Sequence, residues 1–325
     1  MSTIVLSGST DPLGRRVKAL LEGYEGVERI VEVGTHELGG HDHDEGSDLK
    51  ASIEGASAVV HLGGDIDETK VLLDAAAATG VGTIVMLSSA TVYGAWPSNP
   101  VPLTEDAPLR PNPELEFAVR AAERERLAVE WKSDHPGVTI AILRPAVPVA
   151  EDASGWLARA LKAAAAVRAV GNDDPPEQYV HLDDLADAIV LAQRTRLDGP
   201  FNVAPDGWIA GDQVRALAGV PRVRVPEPVA RRIASARWKL GLAPAPPGLL
   251  PYTVHPWVIA NDRLKAAGWR PGSTNEEAYV AAHRPAPWAT VSPQRRQELA
   301  LGGAAAALAG AAAGAVALIR KARRK

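Results

Sequence analysis

Short apolar runs alternate with helical segments along the first half of the chain, and this alternation constrains the fold more than any other feature. The runs, rich in β-branched residues, are 3–7, 56–62, 82–88 and 138–143, and 27–33 is a further strand candidate that includes charged residues. The segments between them carry apolar residues at helical spacing, as at Leu13, Val17 and Leu21. Strands that alternate with helices build right-handed βαβ units around a parallel sheet. The pattern therefore predicts an α/β fold with a doubly wound parallel sheet, covered by helices on both faces.

The alternation weakens after Pro145. An Ala-rich helical segment lies within 145–176, and a short strand at 179–181 leads into a helix that Asp183 or Asp184 is expected to cap. Residues 205–285 are rich in Pro, Arg and Trp and predict short elements. We expect 145–176 and 205–270 to form a smaller substrate-side region at the carboxyl edge of the sheet, where ligands bind in such folds.

Charge and cysteine content exclude several classes of function. The 325 residues include no cysteine, which excludes disulfides, thiolate metal sites and thiol nucleophiles. The net charge of −4 divides unevenly: five basic residues lie within 320–325, so residues 1–319, with 30 basic and 39 acidic residues, carry −9. An acidic body argues against a general nucleic-acid binder. The N-terminus leads directly into a strand, so we expect no signal peptide and a cytoplasmic location.

The C-terminal segment is uncharged and then strongly basic. Residues 299–319 are 21 uncharged residues, mostly Ala, Gly and Leu, and would span about 31 Å as a helix. We expect a linker at 286–298 and an apolar Ala-rich helix with a basic tail at 299–325. Spanning would carry five positive charges outward, which the positive-inside tendency opposes. The alternatives are a helix lying peripherally on the anionic inner face of the membrane, one that packs on the protein or on a second copy, or a segment that stays disordered.

One loop carries residue types that ligate metals. His and carboxylate side chains alternate over 41–45, with His36 and Asp48 nearby, and such sets suit zinc, nickel or manganese. The flanking glycines indicate an exposed loop without a scaffold, so a solvated polar loop is the expectation and no metal site is predicted.

A series of short motifs follows the order and spacing of one family. The motifs lie at 3–21, 61–64, 88–94, 102–106, 143–145, 179–184, 201–203 and 267–271. With them the chain resembles extended short-chain dehydrogenases/reductases of the NAD-dependent epimerase/dehydratase type. The resemblance covers about residues 3–285 and implies a Rossmann-like NAD(P)-binding domain over 1–285, with a nucleotide-sugar as the ancestral small-molecule substrate.

The resemblance also implies where the cofactor binds. The corresponding positions are Gly8, Thr10, Asp11, Leu13 and Gly14 in the first turn and His61, Leu62 and Gly63 after the third strand. The family has a glycine where this chain has Asp11, followed by Pro12. A carboxylate near the pyrophosphate costs roughly 1–4 kcal/mol, which predicts weakened or lost binding. Alternatively, Asp11 is the helix N-cap with Pro12 at the first helical position, and the turn still admits the cofactor.

Two further departures concern the cofactor. The acid that holds the adenosine ribose in the family falls on Gly34 or Thr35, with Glu32 out of register, and no Arg is evident for a 2′-phosphate. The choice between NAD and NADP therefore stays open. Residues 65–70 also run directly into a helix, where the family has an additional covering segment.

The catalytic Tyr and Lys of the family fall on Phe117 and Ala121, which cannot exchange a proton or bind ribose. Ser89 matches the family's Ser but lacks these partners. Tyr93 is either a substitute base or a pocket wall. Arg144 either contacts a ligand phosphate or carboxylate or forms a structural ion pair, and His181 either faces the cleft or holds the substrate region to the sheet.

These departures predict an epimerase/dehydratase-like protein with degenerate or atypical catalysis. One alternative is an active NAD(P)-dependent enzyme with a displaced acid–base residue. The other is a non-catalytic, membrane-associated ligand-binding or scaffold protein. A homodimer through the helix predicted at 114–131 is a further expectation, because similar proteins pair through this helix.

Overall fold

The computed structural model describes residues 2–33, 51–151, 155–164, 167–169, 174–218, 223–242 and 245–282. The chain divides after Ala282, and every described element belongs to the first unit. Three features predicted from the sequence lie outside the described residues. They are the polar loop with metal-ligating residue types at 36–48, the linker at 286–298 and the apolar segment with its basic tail at 299–325. In the part that the structure describes, no helix is long and apolar enough to cross a bilayer.

Six parallel strands form the central sheet, in the order β2–β1–β3–β4–β5–β9. They are β1 (Ser2–Ser7), β2 (Val27–Val33), β3 (Ala58–His61), β4 (Thr83–Leu87), β5 (Thr139–Pro145) and β9 (Gly199–Val203). The chain moves outward from β1 to β2 and then returns to the other side of β1 at β3. This reversal of strand order is the switch point at which α/β sheets open a crevice for ligands. The predicted doubly wound sheet is confirmed.

Helices cover both faces of this sheet. On one face, α1 (Pro12–Glu22) packs against α5 (Leu182–Arg194), and on the other, α2 (Ile66–Thr79) packs against α3 (Glu116–Asp134). Alternate residues of the inner strands β1, β3, β4 and β5 enter the two cores, so Ile4 and Leu6 lie in the first core while Val5 lies in the second. Burial on both faces explains why these four strands are largely apolar.

The remaining elements are short and follow β5. Two small parallel pairs join β6 (Val147–Val149) with β8 (Tyr179–His181) and β7 (Val167–Ala169) with β10 (Val223–Val225). The helices of this part are α4 (Trp156–Ala164), α6 (Gly211–Ala218), α7 (Glu227–Lys239), α8 (Asp262–Ala266) and α9 (Asn275–Ala282). Single 3-10 turns lie at Ala90–Tyr93, Pro247–Leu249 and Pro251–Thr253. The expected short elements after residue 205 are therefore present.

The start of α5 differs from the prediction. His181 is the N-cap, and its Nδ1 accepts a hydrogen bond from the backbone N–H of Asp183 at 3.3 Å. The expectation that Asp183 or Asp184 caps this helix is wrong, because both lie inside its first turn. Their carboxylates still favour the helix electrostatically there. Asp184 accepts bonds from the backbone N–H groups of Gly272 and Ser273, which ties α5 to the segment before α9.

Candidate functional site

The turn after β1 and the start of α1 depend on two glycines, Gly8 and Gly14. Gly8 has a φ of +85°, in the region that side chains rarely adopt. A Cβ on Gly14 would lie 2.2 Å from the Gly8 carbonyl oxygen and 2.6 Å from the Ser9 Cα. The absence of side chains therefore lets α1 begin directly against the turn, which is the close helix–strand approach that dinucleotide sites use.

Asp11 occupies the N-terminus of α1 with its own carboxylate. Its Oδ1 accepts a hydrogen bond from the Gly14 N–H at 2.7 Å, and Pro12 supplies no N–H at the first helical position. Thr10 is exposed, and its carbonyl accepts a bond from Arg15 at 2.6 Å, whereas Leu13 is buried in the core. One of the donors that would face a pyrophosphate is thus already bonded to a negative charge.

The structure brings Glu32 to this turn. Its side chain forms an ion pair with Lys18 of α1 and a hydrogen bond with Ser9, which directly follows Gly8. The Lys18 ammonium, followed by the Ser9 hydroxyl, lowers the pKa of Glu32 below its ordinary value. The register of β2 against β1 pairs Glu32 with Leu6, one residue before the end of β1. Whether Glu32 stands in for the family's ribose-binding acid stays a prediction.

His61 lies at the end of β3 and is held as a neutral imidazole. Nδ1 is 3.1 Å from the Ser7 hydroxyl and Nε2 is 3.2 Å from the Thr69 hydroxyl. Burial, with a smaller contribution from the Arg124 charge, lowers the pKa of His61 to about 3. Leu62 is buried, and a Cβ on Gly63 would have no neighbour within 4 Å, so the backbone at Gly63 is open to a ligand.

Phe117, on which the resemblance places the family's Tyr, belongs to a surface aromatic pair. Phe117 is 40% exposed at the start of α3, and its ring centroid lies 5.4 Å from that of Trp156 on α4. Ala121, one turn later, is buried. Ser89 is buried at the start of the 3-10 turn, where its Oγ accepts bonds from the Thr91 N–H at 3.2 Å and the Thr91 hydroxyl at 3.0 Å.

Tyr93 is enclosed and bonded on both sides of its hydroxyl. The hydroxyl donates to Asn202 Oδ1 at 2.8 Å and accepts from Arg144 Nη1 at 2.7 Å. Burial raises the pKa of Tyr93 to about 12, although the Arg144 charge opposes the shift. Proton transfer by Tyr93 would require both hydrogen bonds to open.

The two residues proposed from sequence to contact substrate have protein partners. Arg144 is buried and forms an ion pair with the equally buried Glu125, with Nη2 2.6 Å from Oε2. The His181 Nε2 lies 3.2 Å from Glu151, in addition to its capping bond. These contacts agree with the structural alternative for each residue, and they leave their contact with ligands as a prediction.

A cavity of about 370 Å³ is lined by the loop after the Ala90–Tyr93 turn, by residues 112–114 and 250–255, and by Arg231 of α7. That volume falls within the range of small-molecule sites. Its lining includes the aromatic rings of Trp96 and His255, together with Glu114 and Arg231, whose charged groups pair at 2.8 Å. No sequence motif pointed to this cavity, because its walls come from four separate segments. Among the described residues, no group of three or more His, Asp or Glu side chains is placed to hold a metal ion.

Comparison with known proteins agrees with this architecture. Solved structures with the same fold include the UDP-glucose 4-epimerase of Thermus thermophilus in complex with NAD, with a TM-score of 0.60 and 18% identity, over 86% of this chain and 97% of that chain. The dTDP-glucose 4,6-dehydratase of Bacillus anthracis in complex with NAD has a TM-score of 0.62 and 15% identity, over 87% and 95% of the two chains.

Curated relatives match only part of the chain. The uncharacterized protein y4nG of Sinorhizobium fredii is 30% identical over 142 residues, and the uncharacterized protein Mb0513 of Mycobacterium bovis is 30% identical over 161 residues. These matches cover 42% and 47% of this chain, and 34% and 39% of the relatives. The chain thus matches less than half the length of these curated relatives. The model of the NAD dependent epimerase/dehydratase family matches residues 42–204, half of the chain. The chain belongs to this family.

Proposed function

We propose that this protein binds NAD or NADP weakly at the carboxyl edge of the sheet and has lost the ordinary Tyr–Lys chemistry of its family. The observation that carries the proposal is Phe117, whose ring replaces the titratable group at the start of α3 and packs against Trp156. Ala121 then lacks the positive charge that would lower a phenol pKa. A bound nicotinamide would accept or donate a hydride, but neither position 117 nor position 121 offers a group that moves the accompanying proton.

The first turn has features that favour dinucleotide binding and one feature that opposes it. Gly8 and Gly14 give the close backbone approach, and Glu32 offers a carboxylate beside the turn to the hydroxyls of an adenosine ribose. The carboxylate of Asp11 competes with the pyrophosphate for the N-terminus of α1. The residues therefore fit the dinucleotide, and the expected consequence of Asp11 is reduced affinity.

The ligand class is inferred from the solved structures that share this fold. The epimerase and the dehydratase with this fold are described as NAD complexes, and their names specify UDP-glucose and dTDP-glucose. We infer that the ancestral substrate of this chain was a nucleotide-sugar. The 370 Å³ cavity supports a small-molecule ligand, since it combines aromatic walls with the paired charges of Arg231 and Glu114.

An active enzyme with a displaced acid–base residue is the alternative. Tyr93 would be the candidate, but its hydroxyl is buried, bonded to Asn202 and Arg144, and has a pKa near 12. A general base works best with a pKa near the working pH. This geometry supports a structural role for Tyr93 over a catalytic one.

Cofactor titration tests the proposal. NADH and NADPH are added to the full chain while energy transfer from Trp to the reduced nicotinamide is followed. We expect saturation only well above micromolar concentrations. Micromolar affinity would contradict the weakening by Asp11, and no binding at millimolar concentrations would overturn the cofactor assignment.

A turnover assay tests the loss of catalysis. UDP-glucose and dTDP-glucose are incubated with NAD and the wild-type chain or the double variant Phe117→Tyr, Ala121→Lys. We expect turnover only in the double variant, because it restores the proton-transferring pair. Turnover by the wild type that Tyr93→Phe abolishes would instead establish the displaced acid–base residue.

We also propose that the protein contacts an anionic membrane surface, because the end of α7 has the composition of a surface-binding segment. Trp238, Leu240 and Leu242 are 46%, 70% and 67% exposed, and Arg237 and Lys239 alternate with them. Exposed apolar side chains beside cations suit an interface with anionic lipid. The basic residues at 320–325 add charge of the same sign. We propose in addition that the chain dimerises through α3 and that its NAD(P)-binding domain covers residues 1–285.

Vesicle sedimentation tests this contact with the full chain. Vesicles of phosphatidylcholine, alone or mixed with phosphatidylglycerol, are pelleted with the wild type or with Trp238→Ser, Leu240→Ser. We expect pelleting only with the anionic lipid and a clear loss in the double variant. Trp208→Ser is the matched control, since Trp208 is 39% exposed elsewhere on the surface. Equal pelleting of all three proteins would contradict the proposal.

A further inference from the structure

Arg124 extends a guanidinium toward the ligand edge of the sheet. It lies on α3, three residues after Ala121, and residues three apart share one face of a helix. Helical side chains lean toward the N-terminus of their helix. The long side chain of Arg124 therefore reaches back along α3 toward the level of Ala121, whose methyl group has no polar atom.

One hydrogen bond places this guanidinium at the end of β4. Arg124 Nη2 donates to the carbonyl oxygen of Leu87, the last residue of that strand, at 3.2 Å. The neighbouring strand β3 ends at His61, which pairs with Met86. The Arg124 charge is close enough to contribute to the lowered pKa of His61. The cation thus lies between the carboxyl ends of β3 and β4.

The second terminal nitrogen of Arg124 is buried without a partner. Nη1 is inaccessible to solvent, and among the described residues no atom accepts a hydrogen bond from it. The described residues also contain no carboxylate within ion-pair distance of Arg124. Burial lowers the pKa of Arg124, while Glu125, Glu68 and Asp65 oppose the shift through their charges. A buried donor without an acceptor is destabilising, so an acceptor that arrives with a ligand would be favourable.

The place of this donor restricts the ligand. In a doubly wound sheet a dinucleotide crosses the switch point between β1 and β3, with its pyrophosphate at the first turn. Its second ribose and the adjoining phosphate then lie over the ends of β3 and β4, on the side of Arg124. A guanidinium presents paired donors that match phosphate oxygens and neighbouring hydroxyls.

We propose that Arg124, whose side chain is partly exposed although Nη1 is buried, is a cofactor-binding residue that turns its guanidinium on binding so that Nη1 donates to the ribose or phosphate of the non-adenosine half of the dinucleotide. Position 121 is Ala and carries no charge. Arg124, about one turn further along α3, supplies the missing cation. This inference rests on the proposed dinucleotide binding. It also indicates how a chain with Asp11 in its first turn retains affinity, because the binding cation lies at the other end of the ligand.

Ligand fragments separate this role from a structural one. The full chain is titrated by calorimetry with NADH, ADP-ribose and AMP, using the wild type, Arg124→Met and Arg126→Met. We expect Arg124→Met to lose about tenfold to a hundredfold in affinity for NADH and ADP-ribose, as for one hydrogen bond to a charged group. AMP lacks the second ribose, so its affinity is unchanged. Arg126 is exposed two residues along the same helix and serves as the control.

Rescue and folding controls complete the test. The double variant Ala121→Lys, Arg124→Met is expected to regain affinity for ADP-ribose, which a merely structural arginine would not allow. Arg124→Lys keeps the charge and covers the case in which Arg124→Met fails to fold. Wild-type affinity of Arg124→Met for ADP-ribose, or an equal loss for AMP, would overturn the proposal. If the wild type binds none of the three ligands, the proposed dinucleotide function fails and this inference fails with it.

Discussion

The guanidinium of Arg144 and the carboxylate of Glu125 form a buried, multiply bonded ion pair that joins β5 to α3. Arg144 Nη2 lies 2.6 Å from Glu125 Oε2, and Nε lies 3.0 Å from Oε2 and 3.2 Å from Oε1. The Ser88 hydroxyl donates to the same carboxylate, and Arg144 Nη1 donates to the Tyr93 hydroxyl. This network fixes the end of β4, the turn that carries Ser89 and the helix that carries Arg124 as one rigid support.

The variant Arg144→Met should destabilise the protein severely. It leaves Glu125 as a buried charge without its partner, and breaking one side of a buried ion pair is destabilising by about 3–5 kcal/mol. Urea unfolding followed by circular dichroism measures the change. Arg120→Ala removes an exposed pair with Glu116 on the same helix and should change stability by less than about 1 kcal/mol. Similar losses in the two variants would contradict the account of the network.

The variant Tyr93→Phe should affect stability rather than ligand binding. It removes the hydroxyl between Arg144 and Asn202 and leaves buried polar groups without one partner, which is destabilising by about 1–3 kcal/mol. Thermal unfolding and NADH titration are measured together. An unchanged melting temperature with a changed NADH affinity would assign Tyr93 to the ligand site instead.

Acidification should destabilise the fold through His61. The pKa of His61 is lowered by burial from 6.5 in the unfolded chain to about 3 in the folded protein. The unfolded chain therefore binds the extra proton between these values, and the free energy of unfolding falls as the pH falls below 6.5. The loss attributable to His61 reaches about 2 kcal/mol near pH 5.

Two variants isolate this contribution. His61→Gln should flatten the slope of unfolding free energy against pH between about 5 and 6.5. Thr69→Val removes the hydroxyl beside Nε2 but keeps the buried imidazole, so it should keep the slope. If His61→Gln and the wild type show the same slope, the imidazole is not held neutral.

The variant Asp11→Asn should strengthen dinucleotide binding. The amide oxygen preserves the N-cap bond to Gly14, while the negative charge beside the pyrophosphate site is removed. We expect the dissociation constant for NADH to fall about tenfold, at the lower end of the repulsion between like charges in a partly dry site. Asp74→Asn removes one exposed charge on α2 and serves as the control. An unchanged constant would show that Asp11 does not limit affinity.

Substitution by Ala should destabilise the protein at Gly14 and should be tolerated at Gly63. Gly14→Ala places a methyl group 2.2 Å from the Gly8 carbonyl oxygen, which requires the backbone to move and should be destabilising by several kcal/mol, on the order of overpacking in a core. Gly63→Ala meets nothing within 4 Å and should leave stability within about 0.5 kcal/mol of the wild type. Denaturant midpoints measure both. Equal tolerance would contradict the close approach of α1 to the first turn.

The strands, the helices and the first turn follow from local patterns. Residues 3–7 and 82–88 are apolar and β-branched, and such runs are typical of strands buried on both faces. Gly8, Asp11 and Pro12 together specify how α1 begins, because turn conformation and capping depend on neighbouring residues alone. The start of α5 was misassigned because an Asp pair resembles an N-cap in sequence, whereas the imidazole of His181 supplies the acceptor.

The amino-acid sequence by itself determined that this chain folds as a doubly wound α/β protein with Phe at 117 and Ala at 121, where the resemblance predicts Tyr and Lys, since strand pattern and residue identity are local properties. Tertiary structure decided which side chains reach the carboxyl edge. The register of β2 brings Glu32 beside Ser9, the lean of a side chain on α3 brings Arg124 to Leu87, and burial commits Arg144 to Glu125. These relationships join residues far apart in the chain, and only packing sets the distances between them.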